Sequence, residues 1–260
     1  MVLVVAALAE EAKVVLESAG QVRRIKGIPG LLEAQRGGQR FQLLRSGVGP
    51  KAAANSIAGA LRHIRPSLLL IVGYAGALKH GLELGDLVAI ARSSLLAKMP
   101  PEALAAGDSV CQGSWELPGS ADLARIAAAA GLSIHGAEGL TSHDVVGDPV
   151  HKELLHRRFG AAVVDMETAV LAEAAESEGI PAACVRAITD PADDTFLKPF
   201  SFRSRAARIR THAGSVTTGE FFSNRQGWNQ RTGAARESLG RFLNVYFQTP
   251  PGSVPDWPPC

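Results

Sequence analysis

Apolar residues fall along this chain in two rhythms. Val2–Ala7 and Leu68–Val72 are continuous apolar runs, and the stretch "AAVVDMETAVLAEAAESEGIPAACVRAITDPADD" (161–194) holds two more. Runs without polar alternation predict strands buried on both faces. "GDLVAIARSSLLA" predicts a further strand, and Gly37-Gly38 between "LLEAQR" and "RFQLLRSG" predicts a hairpin. Helices are expected from Glu10 to about Ser18 and over the Ala-rich Lys51–Ile64, which Arg65-Pro66 stops. Two more are expected over Ala121–Ala130 and from Asp148-Pro149 to about Phe159. Asp148 suits an N-cap and Pro149 the first turn. "GYAGA" after Leu68–Val72 reads as a small-residue turn, and residues 98–120, with Met99-Pro100-Pro101 and several glycines, read as loop.

Alternating strands and helices, with strands apolar on both faces, predict an α/β fold. The expected form is a three-layer α/β/α arrangement around a mixed, mostly parallel sheet with helices on both faces. A single domain over residues 1–247 is expected, with a polar excursion at 204–233 that shows no clear period. "AARESLGRFLNVYF" predicts a closing amphipathic helix with Leu239, Phe242, Leu243 and Tyr246 on one face. Residues 248–260 form a Pro-rich tail, expected to be extended.

Composition narrows the function classes. Of 260 residues, 46% are apolar and 20% charged, enough for a sizeable core. A net charge of +2 gives no argument for nucleic acid or an anionic membrane as partner. The opening "MVLVVAALAEEA" lacks a basic leader and meets acids at Glu10 and Glu11, which favours a buried strand over a signal peptide. No apolar run reaches the roughly 18 residues of a membrane span, and a soluble cytoplasmic protein is expected. Cys111, Cys184 and Cys260 form no Cys-x-x-Cys pair, and the histidines show no metal-ligand spacing.

The acids stand out by position. Asp165 and Glu167 follow one apolar run, Asp190 another, and Glu11 the first strand. In a parallel sheet covered by helices, ligands bind beyond the carboxyl ends of the strands, so these acids would meet at one rim. A carboxyl in a partly apolar pocket can act as an acid near neutrality, a second can activate water, and a third can bind hydroxyls. Those three tasks together are the needs of N-glycosidic bond cleavage. Taken singly, Glu11 and Glu167 fit acids at helix starts, and Asp190 fits a turn residue before Pro191. Asp193 and Asp194, like Asp165, read as structural, and His143 as a polar loop residue. Gly47 and Gly49 read first as turn glycines.

Five pieces in order are "AALAEEA", "RSGVGPKAAAN", "GYAGAL" with "LELGDLV", "VVDMETAVLA" and "VRAITDPAD". Over residues 2–195 the chain resembles the nucleoside phosphorylase/nucleosidase superfamily, especially methylthioadenosine/S-adenosylhomocysteine nucleosidases and hopanoid-associated phosphorylase-like proteins. The resemblance implies a catalytic pair, Asp190 protonating N7 of a purine and Glu11 positioning the attacking water. It implies substrate contacts from Glu167 on the ribose hydroxyls, Met166 against the sugar, and Val146, Thr189, Tyr74 and Gly76 around the rest. It implies no metal or cofactor, a small-molecule nucleoside substrate, and a homodimer or larger homo-oligomer.

Three departures bear on the reaction. Ile71 and Tyr74 stand where phosphorolytic relatives carry an Arg and a Ser for phosphate, which favours water as nucleophile; Arg45 is the remaining candidate cation. Val146 replaces the aromatic residue that stacks on adenine in the methylthioadenosine enzymes. Thr189 replaces the usual Ser. The expected activity is hydrolysis of a purine nucleoside or 5′-substituted adenosine derivative. The alternatives are phosphorolysis, with inorganic phosphate as co-substrate, and nucleoside binding without turnover.

Overall fold

Val2–Ala6 forms β1, buried almost throughout because its residues are apolar and strands pair with it on both sides. The computed structural model describes residues 1–98, 110–195 and 218–250, with only the backbone of 218–230. After β1 come α1 (Ala9–Leu16) and the three antiparallel strands β2 (Gly20–Arg24), β3 (Leu31–Arg36) and β4 (Gln39–Arg45). The Gly37-Gly38 hairpin joins β3 and β4 as expected. Helix α2 (Pro50–Leu61) opens with proline in its first turn, where a missing N–H costs no hydrogen bond. Then follow β5 (Leu68–Ala77), β6 (Leu87–Leu96), β7 (Cys111–Glu116), α3 (Ser120–Ala129) and β8 (His135–Thr141). Helix α4 (Pro149–Phe159) starts at Asp148, whose carboxylate accepts from the N–H groups of Val150 and His151. The chain continues through β9 (Val163–Asp165), α5 (Thr168–Ser177), β10 (Ala182–Asp190) and α6 (Thr218–Gln248).

The sheet is not mostly parallel. Among the described residues the parallel pairs β1–β4, β1–β5, β5–β10, β6–β8 and β8–β9 are matched by the antiparallel pairs β2–β3, β3–β4, β5–β9, β6–β7 and β6–β10. The reason is a closed circuit. Strand β5 pairs with both β9 and β10, and β10–β6–β8–β9 completes a ring, from which β1, β4, β3 and β2 extend as a wing.

Strand residues alternate between two cores. Leu3, Val5, Leu69 and Ile71 pack with Ala53, Ile57 and Ala60 of α2 and Leu171 and Ala175 of α5. Val4, Ala6, Leu70 and Val72 pack with Val14 and Val15 of α1, Leu123 of α3, and Leu239, Phe242 and Leu243 of α6. Each large side chain so buried contributes about 1.5–3 kcal/mol. No described helix is long and apolar enough to cross a membrane.

Three expectations change. "GYAGA" is not a turn: it continues β5, buried over its whole length. Strands β2, β7 and β8 were hidden by exposed or glycine-bearing sequence, β7 falling inside the stretch read as loop. Residues 218–233, part of the expected excursion, are helical, because α6 extends outward from the apolar stripe through Leu239 to Phe247 and helices lengthen readily once nucleated. The rest of the excursion and residues 251–260 lie outside the described residues.

Candidate active site

The register of β5 brings the acids together. Gly76 lies opposite Asp190 of β10 on one side and Val164 of β9 on the other. A Cβ on Gly76 would stand 2.7 Å from Asp190 Oδ2, and one on Gly73 would collide with Arg186 and Glu11. The small residues that resembled a turn are therefore the room a buried strand leaves for charged groups.

Glu11 is buried, not solvated. It is the third residue of α1, and its Oε2 accepts from the N–H groups of Ala7 (2.9 Å) and Leu8 (2.8 Å). Its Oε1 accepts from the N–H of Tyr74 (2.9 Å). Burial pushes its carboxyl up, while the Arg186 charge and these three donors pull it back.

Glu167 accepts a 2.7 Å hydrogen bond from the N–H of Gly49. Gly49 has φ 92°, which suits glycine, so the turn reading holds and the same turn aims an N–H at the site. Burial pushes Glu167 up to about 8, with Arg186 opposing and Asp165 adding to the rise.

Asp165 keeps its structural reading. It accepts from the N–H groups of Glu167 and Thr168 (both 3.1 Å), from Thr141 Oγ1 (2.8 Å) and from Thr168 Oγ1, and so fixes the start of α5.

Two cations carry the burden of these acids, and neither had a sequence signal of its own. Arg186 sits inside the apolar run of β10, is fully buried, lies 2.9 Å from Asp165 and 3.8 Å from Glu167, and donates to Thr168 Oγ1. Lys152 of α4 is also fully buried and donates to Asp190 Oδ2 at 2.7 Å. Thr189 Oγ1 donates to the other Asp190 oxygen at 3.0 Å. Burial pushes the Asp190 carboxyl up against the pull of Lys152.

One pocket gathers all eight residues singled out above: Asp190, Glu11, Glu167, Met166, Val146, Thr189, Tyr74 and Gly76. Leu8, Val48 and Val164 add apolar walls. Ile71 lies in the core, while the exposed Arg45 and the half-buried His143 do not line the pocket.

Carboxylates, hydroxyls and apolar walls in one recess offer proton transfer and hydrogen bonding together, which suits an enzyme of the nucleosidase or nucleoside phosphorylase class. The chain belongs to the phosphorylase superfamily, whose family model matches residues 2–218. A futalosine hydrolase of Thermus thermophilus is 32% identical over 180 residues, covering 65% of this chain and 78% of that one. The fold is shared with a 5′-methylthioadenosine/S-adenosylhomocysteine nucleosidase of Neisseria meningitidis solved with methylthio-immucillin-A. That match has a TM-score of 0.71 at 18% identity and covers 95% of this chain and 98% of that one. The futalosine hydrolase of Helicobacter pylori matches at TM-score 0.70 and 16% identity, over 94% and 95%.

Proposed function

We propose that the protein hydrolyses the N-glycosidic bond of a purine nucleoside or 5′-substituted adenosine derivative. The observation that carries this reading is the charge of the pocket. Among the described residues its lining includes Glu11, Asp144, Asp165, Glu167 and Asp190, and no lysine, arginine or histidine. A phosphate dianion placed there would lack charged donors and face carboxylates, at a desolvation cost of several kcal/mol. A neutral water molecule bears no such cost. The relative from Thermus thermophilus, named as a hydrolase, supports the same choice.

In this mechanism Asp190 delivers a proton to N7 of the base as the C1′–N9 bond lengthens. Glu167 holds a ribose hydroxyl, with Met166 against the sugar. Glu11, fixed by three backbone donors, orients the water and takes its proton as it attacks C1′. Val146, Thr189, Tyr74 and Gly76 shape the space for the rest of the nucleoside. The two core clusters on opposite sides of the strands support a three-layer α/β/α frame around the site.

The test is a panel of purine nucleosides together with 5′-methylthioadenosine, S-adenosylhomocysteine and futalosine, each with and without phosphate. Free base and free sugar should appear at a rate indifferent to phosphate. A sugar 1-phosphate as main product, at a rate that saturates with phosphate, would reverse the choice of nucleophile.

A further inference from the structure

Beside Asp190 the mechanism above leaves a buried charge without a task. Lys152 is fully buried, while Val150 and Leu154 on the same helix are exposed. Helix α4 thus buries Lys152 together with Leu155 while leaving two apolar residues outward, a departure from a simple amphipathic pattern. Lys152 Nζ donates to Asp190 Oδ2 (2.7 Å) and to the carbonyl oxygens of Pro191 (2.8 Å) and Asp194 (3.3 Å). Three acceptors match the three N–H bonds of an ammonium ion. A buried ammonium requires a paired anion, and Asp190 is the carboxylate in contact. An ionised Asp190 has no proton of its own to give. Yet ammonium with carboxylate and amine with carboxylic acid contain the same atoms, and one proton crossing the 2.7 Å bond interconverts them.

We propose that Lys152 holds the proton that Asp190 delivers, so that the two residues act as a single acid. The proposal rests on the assignment of this pocket to N-glycoside cleavage. As C1′–N9 breaks, its electron pair passes to the base. N7 takes a proton from an Asp190 oxygen, and an Nζ–H proton of Lys152 crosses to the carboxylate. The pair ends as a neutral amine and a carboxylate. Water adds to C1′ and gives its proton to Glu11. Once the base leaves, solvent returns one proton to the pair and Glu11 releases one. Lys152 reaches the substrate only through Asp190, so it is a positioning residue for the proton.

Other charged groups surround the pair. Arg231 of α6 pairs with Asp194. His80 lies between Glu153 of α4 and Asp193. Helix α4 also carries His151, His156, Arg157 and Arg158. Across the pocket stand Glu11, Asp144, Asp165 and Glu167, with Arg186 behind. None of these hydrogen-bonds to Asp190 in place of Lys152 among the described residues.

The experiment compares wild type with Lys152→Met, matched for fold by thermal melting, on the best nucleoside of the panel. If the pair is the acid, the basic limb of the kcat–pH profile belongs to the two residues together, and removing the lysine leaves Asp190 alone. The limb should then move to lower pH by one unit or more, and kcat should fall about 10-fold or more. If Asp190 is the sole acid and Lys152 only a neighbouring charge, removing that charge raises the carboxyl and moves the limb to higher pH, which overturns the proposal. Lys152→Arg keeps the charge with a far weaker acid and should stay slow; recovery of wild-type kcat would equally overturn it. A readout without substrate is the infrared difference between wild type and Asp190→Asn near neutral pH. An ionised carboxylate band is expected, with a protonated carboxyl band appearing only in Lys152→Met; a protonated band in wild type refutes the ionised pair. Absence of turnover on every nucleoside would overturn the functional reading and this one with it, whereas turnover with a limb moving upward overturns this one alone.

Discussion

Glu167→Gln isolates one proton in the acid cluster. Burial, with Arg186 opposing and Asp165 reinforcing, pushes the Glu167 carboxyl from its ordinary 4.5 to about 8. The folded protein therefore retains a proton that the unfolded chain releases near 4.5. A group raised in this way contributes stability fully present below its unfolded value and lost as pH rises toward its folded value. The loss is about 1.4 kcal/mol per pH unit for one proton. Between 4.5 and 8 this gives an upper limit of ~5 kcal/mol, which coupling to Glu11 and Asp165 reduces to a few kcal/mol. Glutamine has the shape of the protonated carboxyl, keeps an acceptor for the Gly49 N–H, and cannot ionise. Wild type and variant should be about equally stable near pH 5, and the variant should become the more stable toward pH 8. Urea unfolding across this range measures the difference directly. Parallel stability curves would refute the assignment of a retained proton to Glu167.

The same variant should lose more on ribosides than on 2′-deoxyribosides, by about 0.5–1.5 kcal/mol in kcat/KM, the scale of a hydrogen bond to a neutral group; equal losses would remove Glu167 from the sugar. Asp190→Asn should lower kcat by about 100-fold or more, the scale of general acid catalysis, and near-normal turnover in a folded variant would exclude that role. Gly76→Ala places a methyl 2.7 Å from Asp190 Oδ2. It should cost about 100-fold in kcat through displacement of the carboxyl, and combining it with Asp190→Asn should add little further loss. Full additivity would mean that Gly76 acts elsewhere.

Legibility in the sequence followed the cost of burial. Strands β1, β5 and β10 were readable because a continuous apolar run has few other uses, and Glu167 and Asp190 because acids interrupt or end such runs. "GYAGA" misled because glycine in a strand and glycine in a turn look alike until the groups filling the vacated space are known; here they are Glu11, Arg186 and Asp190. Strand β2 is exposed along its length and β7 alternates half-buried and exposed residues around Gly113 and Ser114, so neither carries a hydrophobic signal. Lys152 was hidden for a different reason. Val150, Leu154, Leu155 and Phe159 all compete for the apolar face of this helix in the sequence, and only the position of Asp190 in three dimensions explains why the lysine is buried.

The closed circuit of strands also bears on solubility. Within the ring β5–β10–β6–β8–β9 every strand has partners on both sides among the described residues, so it offers little open edge to a second chain. The wing ends at β2, which pairs only with β3 among the described residues. A bare edge is where a foreign strand adds and ordered aggregation begins. Here the edge carries Arg23 and Arg24, its register with β3 is broken between Gly20 and Arg23, and Gln21 adopts φ 48°. Charge and an irregular backbone thus blunt the place where another copy would pair. None of these residues lines the pocket, so neutralising the two arginines should promote self-association while leaving the chemistry of the acids untouched.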